Sequence, residues 1–250
     1  MSSRGPSWPP SFPPQEQWQR IDPRDVQAML RRTFAQMGLP DRMRVDNGHP
    51  WGFRNDLPRD LALWLIGLGV GMIWNRAACP QQNGKVERDQ GVLQQWIEIK
   101  SCKDDIEVKV RLTRAAAIQR CEYPAVGGRT RVEAFPALMT PRRSYDPARE
   151  AELWSLDRVD RFLSGLVVHR RVSRGGQISL YHRNFMVGKT HQGQEVHVKF
   201  DPVGREWVIL TFTGQEIRRH PAPEINQAAI VGLSVGYHRP SPGGAEDTDH

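Results

Sequence analysis

Near Gly165 the spacing of the apolar residues changes from a helical period to a strand period, and a fold built from one kind of element cannot satisfy both. After that point come "GLVVHRRVS", "QISLYHRNFMVG", "QEVHVKFDP", "EWVILTF" and "QEIRRHP". They are separated by Gly175-Gly176, His191-Gln192-Gly193, Pro202-Val203-Gly204 and Thr213-Gly214. Five short, β-branched and aromatic segments with glycine turns in under sixty residues predict a small antiparallel β-barrel over 165–222.

Before Gly165 the pattern is that of an α/β region. In "IDPRDVQAMLRRTFAQMG", Asp22 suits an N-cap, Pro23 the first helical position and Gly38 the C-terminal left-handed turn. Val26, Met29, Leu30, Phe34 and Met37 supply one apolar face. A short strand, Arg42 to Val45, then leads into Asp46-Asn47-Gly48. A carboxylate at the end of a buried strand is how α/β proteins present a functional acid, and Asp-Asn-Gly is also an ordinary turn. A second helix is expected over Leu57 to Leu68, a strand over Met72 to Trp74, and a third helix from about Gly84 to Ile99. In that third helix Val86, Leu93 and Ile97 form the apolar stripe, while Glu87 falls on a polar face beside Gly91. A further helix covers "DDIEVKVRLTRAAAIQRCEY". Residues 136–164 read as a proline-bearing linker followed by the polar helix "REAELWSLDRVDRFL", which either joins domains or pairs with another copy. The proline-rich segment 1–20 and the segment 223–250, rich in proline, glycine and acids, read as a flexible arm and a disordered tail.

The longest apolar run, Leu61 to Trp74, is interrupted by Gly67, Gly69 and Gly71 and is too short for a bilayer span, so no membrane partner is expected. Cys79, Cys102 and Cys121 are odd in number and lack metal spacing, as reduced cytoplasmic thiols would be. The formal net charge is +7, with ten Lys/Arg against four Asp/Glu between Arg161 and His220. That excess points to an anionic partner, most often nucleic acid, and is equally what a generally basic surface displays.

"GLPDRMRVDNGHPWG" followed by "PQQNGKVERDQGVLQQW" resembles the second and third acidic positions of the DDE recombinases, the insertion-sequence transposases and retroviral-type integrases. "EYPAVGGRTRVEAFP", "ISLYHRNFMVG" and "QEVHVKFDPVGREWVILTFTGQEIRRHPAPE" resemble the later regions of such transposases, so the similarity spans about Ile21 to Glu224. The resemblance implies a ribonuclease H-like core over 21–135 and a DNA-binding barrel. It also implies Mg²⁺, or Mn²⁺, held by two Asp and one Glu for in-line phosphodiester transfer. On this carry-over Asp46 and Glu87 are the second and third acids, both catalytic and metal-binding. Gln82, Asn83 and Gly84 form a loop before the helix, and Lys85 and Arg88 contact phosphate. Arg170, Arg171, Arg174, Arg183 and Lys199 are the barrel's phosphate contacts.

One feature departs from the family. The first Asp should lie on an opening strand some sixty residues earlier, yet forty-five residues precede Asp46, and Asp22, Asp25 and Asp41 sit in caps and turns. The expectation is therefore an incomplete core: the C-terminal part of a transposase, inactive alone, with weak Mg²⁺ binding and an exposed edge at the strand before Asp46. Expected partners are DNA at element ends and target, and further copies of this chain or of an intact transposase. The alternatives are a non-catalytic DNA-binding remnant that interferes with intact transposase, and a nuclease acting on RNA in hybrids. If about six phosphates are neutralised, log affinity should fall against log salt with a slope of about −5.

Overall fold

The computed structural model describes residues 22–52, 56–75, 91–93, 95–98, 101–124, 126–136, 140 and 143–236. The chain forms two compact units, residues 1–40 with 75–148 and residues 41–74 with 149–250.

In the first unit, α1 (Pro23–Met37) begins where the Asp22 carboxylate accepts the Arg24 N–H at 2.8 Å and ends where Gly38, at φ 78°, donates to the Phe34 carbonyl. Its buried face carries Val26, Leu30 and Phe34, and Tyr145 meets Phe34 edge to face at 5.8 Å. α3 (Asp105–Cys121), capped by Asp104, packs Val108 and Ala115 against Ile97. α4 (Arg131–Ala134) opens with a reciprocal capping box between Thr130 and Glu133. Of the third expected helix, residues 91–93 and 95–97 are helical, Glu98 turns out of it at φ 46°, and the remainder lies outside the described residues.

The second unit is built around α2 (Asp60–Gly67). Leu61, Ala62, Leu63, Trp64 and Leu65 are all shut off from solvent, as a helix apolar on every side must be. The helix starts at Asp60, not Leu57, because Arg59 is still extended. It connects β1 (Arg42–Val45) to β2 (Gly71–Trp74), which pair in parallel with Val45 opposite Trp74. A parallel pair requires such a crossover. A larger parallel sheet of the ribonuclease H kind is not present among the described residues.

The polar helix expected over 149–163 is broken into α5 (Glu150–Leu153) and α6 (Leu156–Ser164). The break is caused by Trp154. Its indole lies on Gly67 and donates to the Trp64 carbonyl at 3.1 Å, while Ser155 N–H reaches the Gly67 carbonyl at 3.0 Å. Trp64 in turn donates its indole N–H to the buried Glu150 at 3.1 Å.

The strand region holds β3 (Val168–Arg171), β4 (Gln177–Leu180), β5 (Arg183–Met186), β6 (Glu195–Asp201), β7 (Glu206–Thr211) and β8 (Glu216–Pro221). They form an antiparallel four-stranded sheet, β3-β6-β7-β8, and a separate β4-β5 hairpin, so the expected closed barrel is not formed. "QISLYHRNFMVG" reads as one strand but turns back at Tyr181-His182, both at positive φ (47° and 62°), with Leu180 opposite Arg183. The hairpin meets β8 through side chains: Phe185 tilts on His220 at 5.5 Å, and His220 Nε2 donates to the Met186 carbonyl at 2.6 Å. Ladder closure is absent there. One sheet face, with Val168, Val196, Val198, Phe200, Trp207 and Ile209, is core. α7 (Gln227–Val231) follows, with Ile230 buried.

Candidate nucleic-acid interface

Strand alternation and register put His169, Arg171, His197, Lys199, Leu210 and Arg219 on the sheet face opposite that core, together with Glu195, Asp201, Glu206 and Glu216. Arg171 and Lys199 are exposed, Arg174 is exposed in the turn after β3, and none of the three has an ion-pair partner among the described residues. Arg171 Nε donates to the Gly193 carbonyl at 3.2 Å, which holds the guanidinium in place, and the three charges remain available to a polyanion. Arg219 differs: it binds Asp201 at 2.7 Å and Glu216 at 2.9 Å, and lies 3.6 Å from Glu206. Asp201 is held below the usual carboxylate range, first by the Val203 backbone N–H and then by Arg219.

Arg170 and Arg183 are placed otherwise than a phosphate contact requires. The Arg170 side chain is 21% exposed, donates to the Ser179 carbonyl at 2.9 Å and is paired with Asp56. Arg183 binds Glu224 at 3.0 Å, and that carboxylate, 4% exposed, also accepts the Trp207 indole N–H at 2.7 Å. These guanidiniums fasten the hairpin and sheet to their own unit. Nearby, Tyr181 donates to the Pro58 carbonyl at 3.0 Å. Burial above all, with Asp60, Asp56 and Glu224 adding to it, pushes the phenol well above its ordinary pKa, so it stays a donor. Asp60 accepts the Val235 and Gly236 N–H groups at 3.0 and 3.3 Å. Asp160 pairs with Arg205, yet its pKa is raised, because desolvation outweighs that attraction.

Asp46 stands at the carboxyl end of β1, exposed, with its Oδ1 accepting the Gly48 N–H at 3.0 Å. The carboxylate shapes the turn that continues with Trp51 and Gly52 donating to the Gly48 carbonyl at 3.0 and 2.9 Å. Glu87, Lys85, Arg88 and the Gln82-Asn83-Gly84 loop lie outside the described residues. Among the described residues no group of three His, Cys, Asp or Glu is arranged to hold a metal. One carboxylate already serving a turn does not supply the oxygens that Mg²⁺ takes.

The sequence pattern did not single out Phe212, which follows β7 and is 72% exposed. It meets the His197 ring at 5.3 Å, and His197 meets His169 at 4.5 Å. The signal was present in "TFTG", an aromatic ring placed in a turn, where polar residues are the rule. No family model matches the sequence. No helix among the described residues is long and apolar enough to cross a membrane.

Proposed function

We propose that the chain is a DNA-binding polypeptide of the DDE transposase and integrase class, working in the cytoplasm on mobile-element and target DNA. The observation that carries the DNA-binding part is the uncompensated charge of Arg171, Arg174 and Lys199 on and beside one sheet face. The class rests on the order of the two motifs, supported by the parallel strand-helix-strand arrangement that sets Asp46 at a strand's carboxyl end. On this reading Asp46 and Glu87 are two of the acids that would hold Mg²⁺ or Mn²⁺ for phosphodiester transfer. Its partners are further copies of itself or an intact transposase, whose assembly it would perturb.

With Arg170 and Arg183 engaged, the cations on and beside this face that lack an anionic partner among the described residues reduce to Arg171, Arg174 and Lys199. Three neutralised phosphates give a slope of about −3 for log affinity against log salt. A salt titration of duplex binding measures it, and a slope near zero refutes the reading. Mg²⁺-dependent strand transfer that is lost in Glu87→Gln would support the class; strand transfer that survives Glu87→Gln would refute the role of that carboxylate.

A further inference from the structure

We propose that the outer face of the four-stranded sheet stacks the unpaired bases of a single-stranded nucleic acid, with Phe212 as the leading ring. The inference rests on the DNA-binding reading and specifies the form of nucleic acid. Phe212 is 72% exposed, so the fold forgoes most of what burying a phenyl ring contributes. The ring is not isolated. His197 lies against it at 5.3 Å and His169 continues the row at 4.5 Å, so flat rings run from the end of β7 across β6 to β3. His197 Nε2 is closed off from water and has no hydrogen-bond partner among the described residues.

Charge selects the occupant. Beside the rings Arg171, Arg174 and Lys199 outnumber Glu195, which is in register with Arg171, while farther along the same face Asp201, Glu206 and Glu216 gather around Arg219. A polyanion is therefore favoured over an apolar protein surface. Within a duplex the base faces are hidden, and exposed rings add nothing to phosphate contacts. In a single strand every base offers a π-face to an aromatic side chain, while a basic rim follows the backbone. Rings and cations together therefore match an unpaired strand better than a paired one.

The test titrates the full chain with a labelled oligothymidylate and with a duplex of equal length, at one fixed salt concentration. Phe212→Ala should weaken oligothymidylate binding roughly 5- to 150-fold, the range that losing one base-stacking ring produces, and leave duplex binding unchanged. Phe212→Trp should retain it, and Lys199→Ala should weaken both. Phe212 is exposed, so its variants should fold, and circular dichroism checks that they do. Equal losses on both probes, or no loss on oligothymidylate, overturn the proposal. If salt-dependent duplex binding is then intact, the DNA-binding reading survives; if the unaltered chain binds neither probe, both fall. A Phe212→Ala change that only dissolves a dimer assigns the face to a second copy and also overturns the proposal.

Discussion

A guanidinium contributes to nucleic-acid binding only when its charge is not already compensated, and Arg170, Arg183 and Lys199 divide on that point. Arg183→Ala should cost about 1–2 kcal/mol of stability, because buried Glu224 keeps only its Trp207 bond while the half-exposed arginine itself was partly screened. Denaturant unfolding measures it, with duplex affinity at saturating folded protein unchanged. Lys199→Ala should do the reverse, leaving stability within about 0.5 kcal/mol and making the salt slope shallower by about 0.9. Loss of duplex affinity on removing Arg183, with unfolding unaltered, would reverse these roles. The residue types were legible in the sequence, since the basic excess after Arg161 is plain. Their partners were not. Asp56 stands 114 positions from Arg170, and no local pattern reports which carboxylate folds back onto which arginine.

The elements were legible where local chemistry sets them, as with the Asp22 cap, Pro23 and Gly38 of α1, the helix α3, and the short strand before Asp46. They were misread where a distant residue decides. Periodicity joins residues 149–163 into one helix, but Trp154 gains more by docking on Gly67 than by continuing the helix. A Cβ on Gly67 would stand 2.0 Å from Trp154 Nε1, so Gly67→Ala should destabilise by about 2–3 kcal/mol through overpacking and the lost bond to Trp64. A urea midpoint equal to that of the unaltered chain would show that the indole sits elsewhere. The β4-β5 turn was hidden for a related reason. Two-residue hairpin loops with positive φ at both positions normally declare themselves as Asn-Gly, and here they are Tyr181-His182, retained because Tyr181 reaches Pro58. His182→Gly should therefore stabilise the hairpin by about 0.5 kcal/mol, the left-handed penalty less the added freedom of the unfolded glycine. Thermal unfolding would register it as a small upward shift.

At the scale of the molecule, the sequence signalled a helical half and a strand half but not how the chain partitions, since residues 41–74 join residues 149–250 in one compact unit. That partition governs the response to pH and to dissection. Asp160 has a folded pKa above its ordinary value, so its stabilising contribution is complete below that ordinary value and is lost as pH rises through the raised one. Asp160→Asn holds the group neutral, and its stability relative to the unaltered chain should grow from pH 4 toward pH 7; a constant difference would contradict the sign. Asp201, lowered by Val203 and Arg219, acts in the opposite sense and loses its contribution only as pH falls. For dissection, charge and strand content alone suggest that residues 165–222 stand as a module. The contacts argue against it, because Arg170 is held by Asp56, the Tyr181 hydroxyl by the Pro58 carbonyl, and the Val235 and Gly236 N–H groups by Asp60. Each of these partners lies in the segment before α2 or at its first residue. A fragment of residues 149–250 should then unfold at markedly lower denaturant than the full chain. Adding residues 41–74 as a separate peptide should recover part of the difference, because the buried face of α2 has its contacts on α6 and α7. Equal unfolding midpoints for fragment and full chain would mean that the sheet and hairpin hold together without the wholly buried helix that their tyrosine and arginine are tied to.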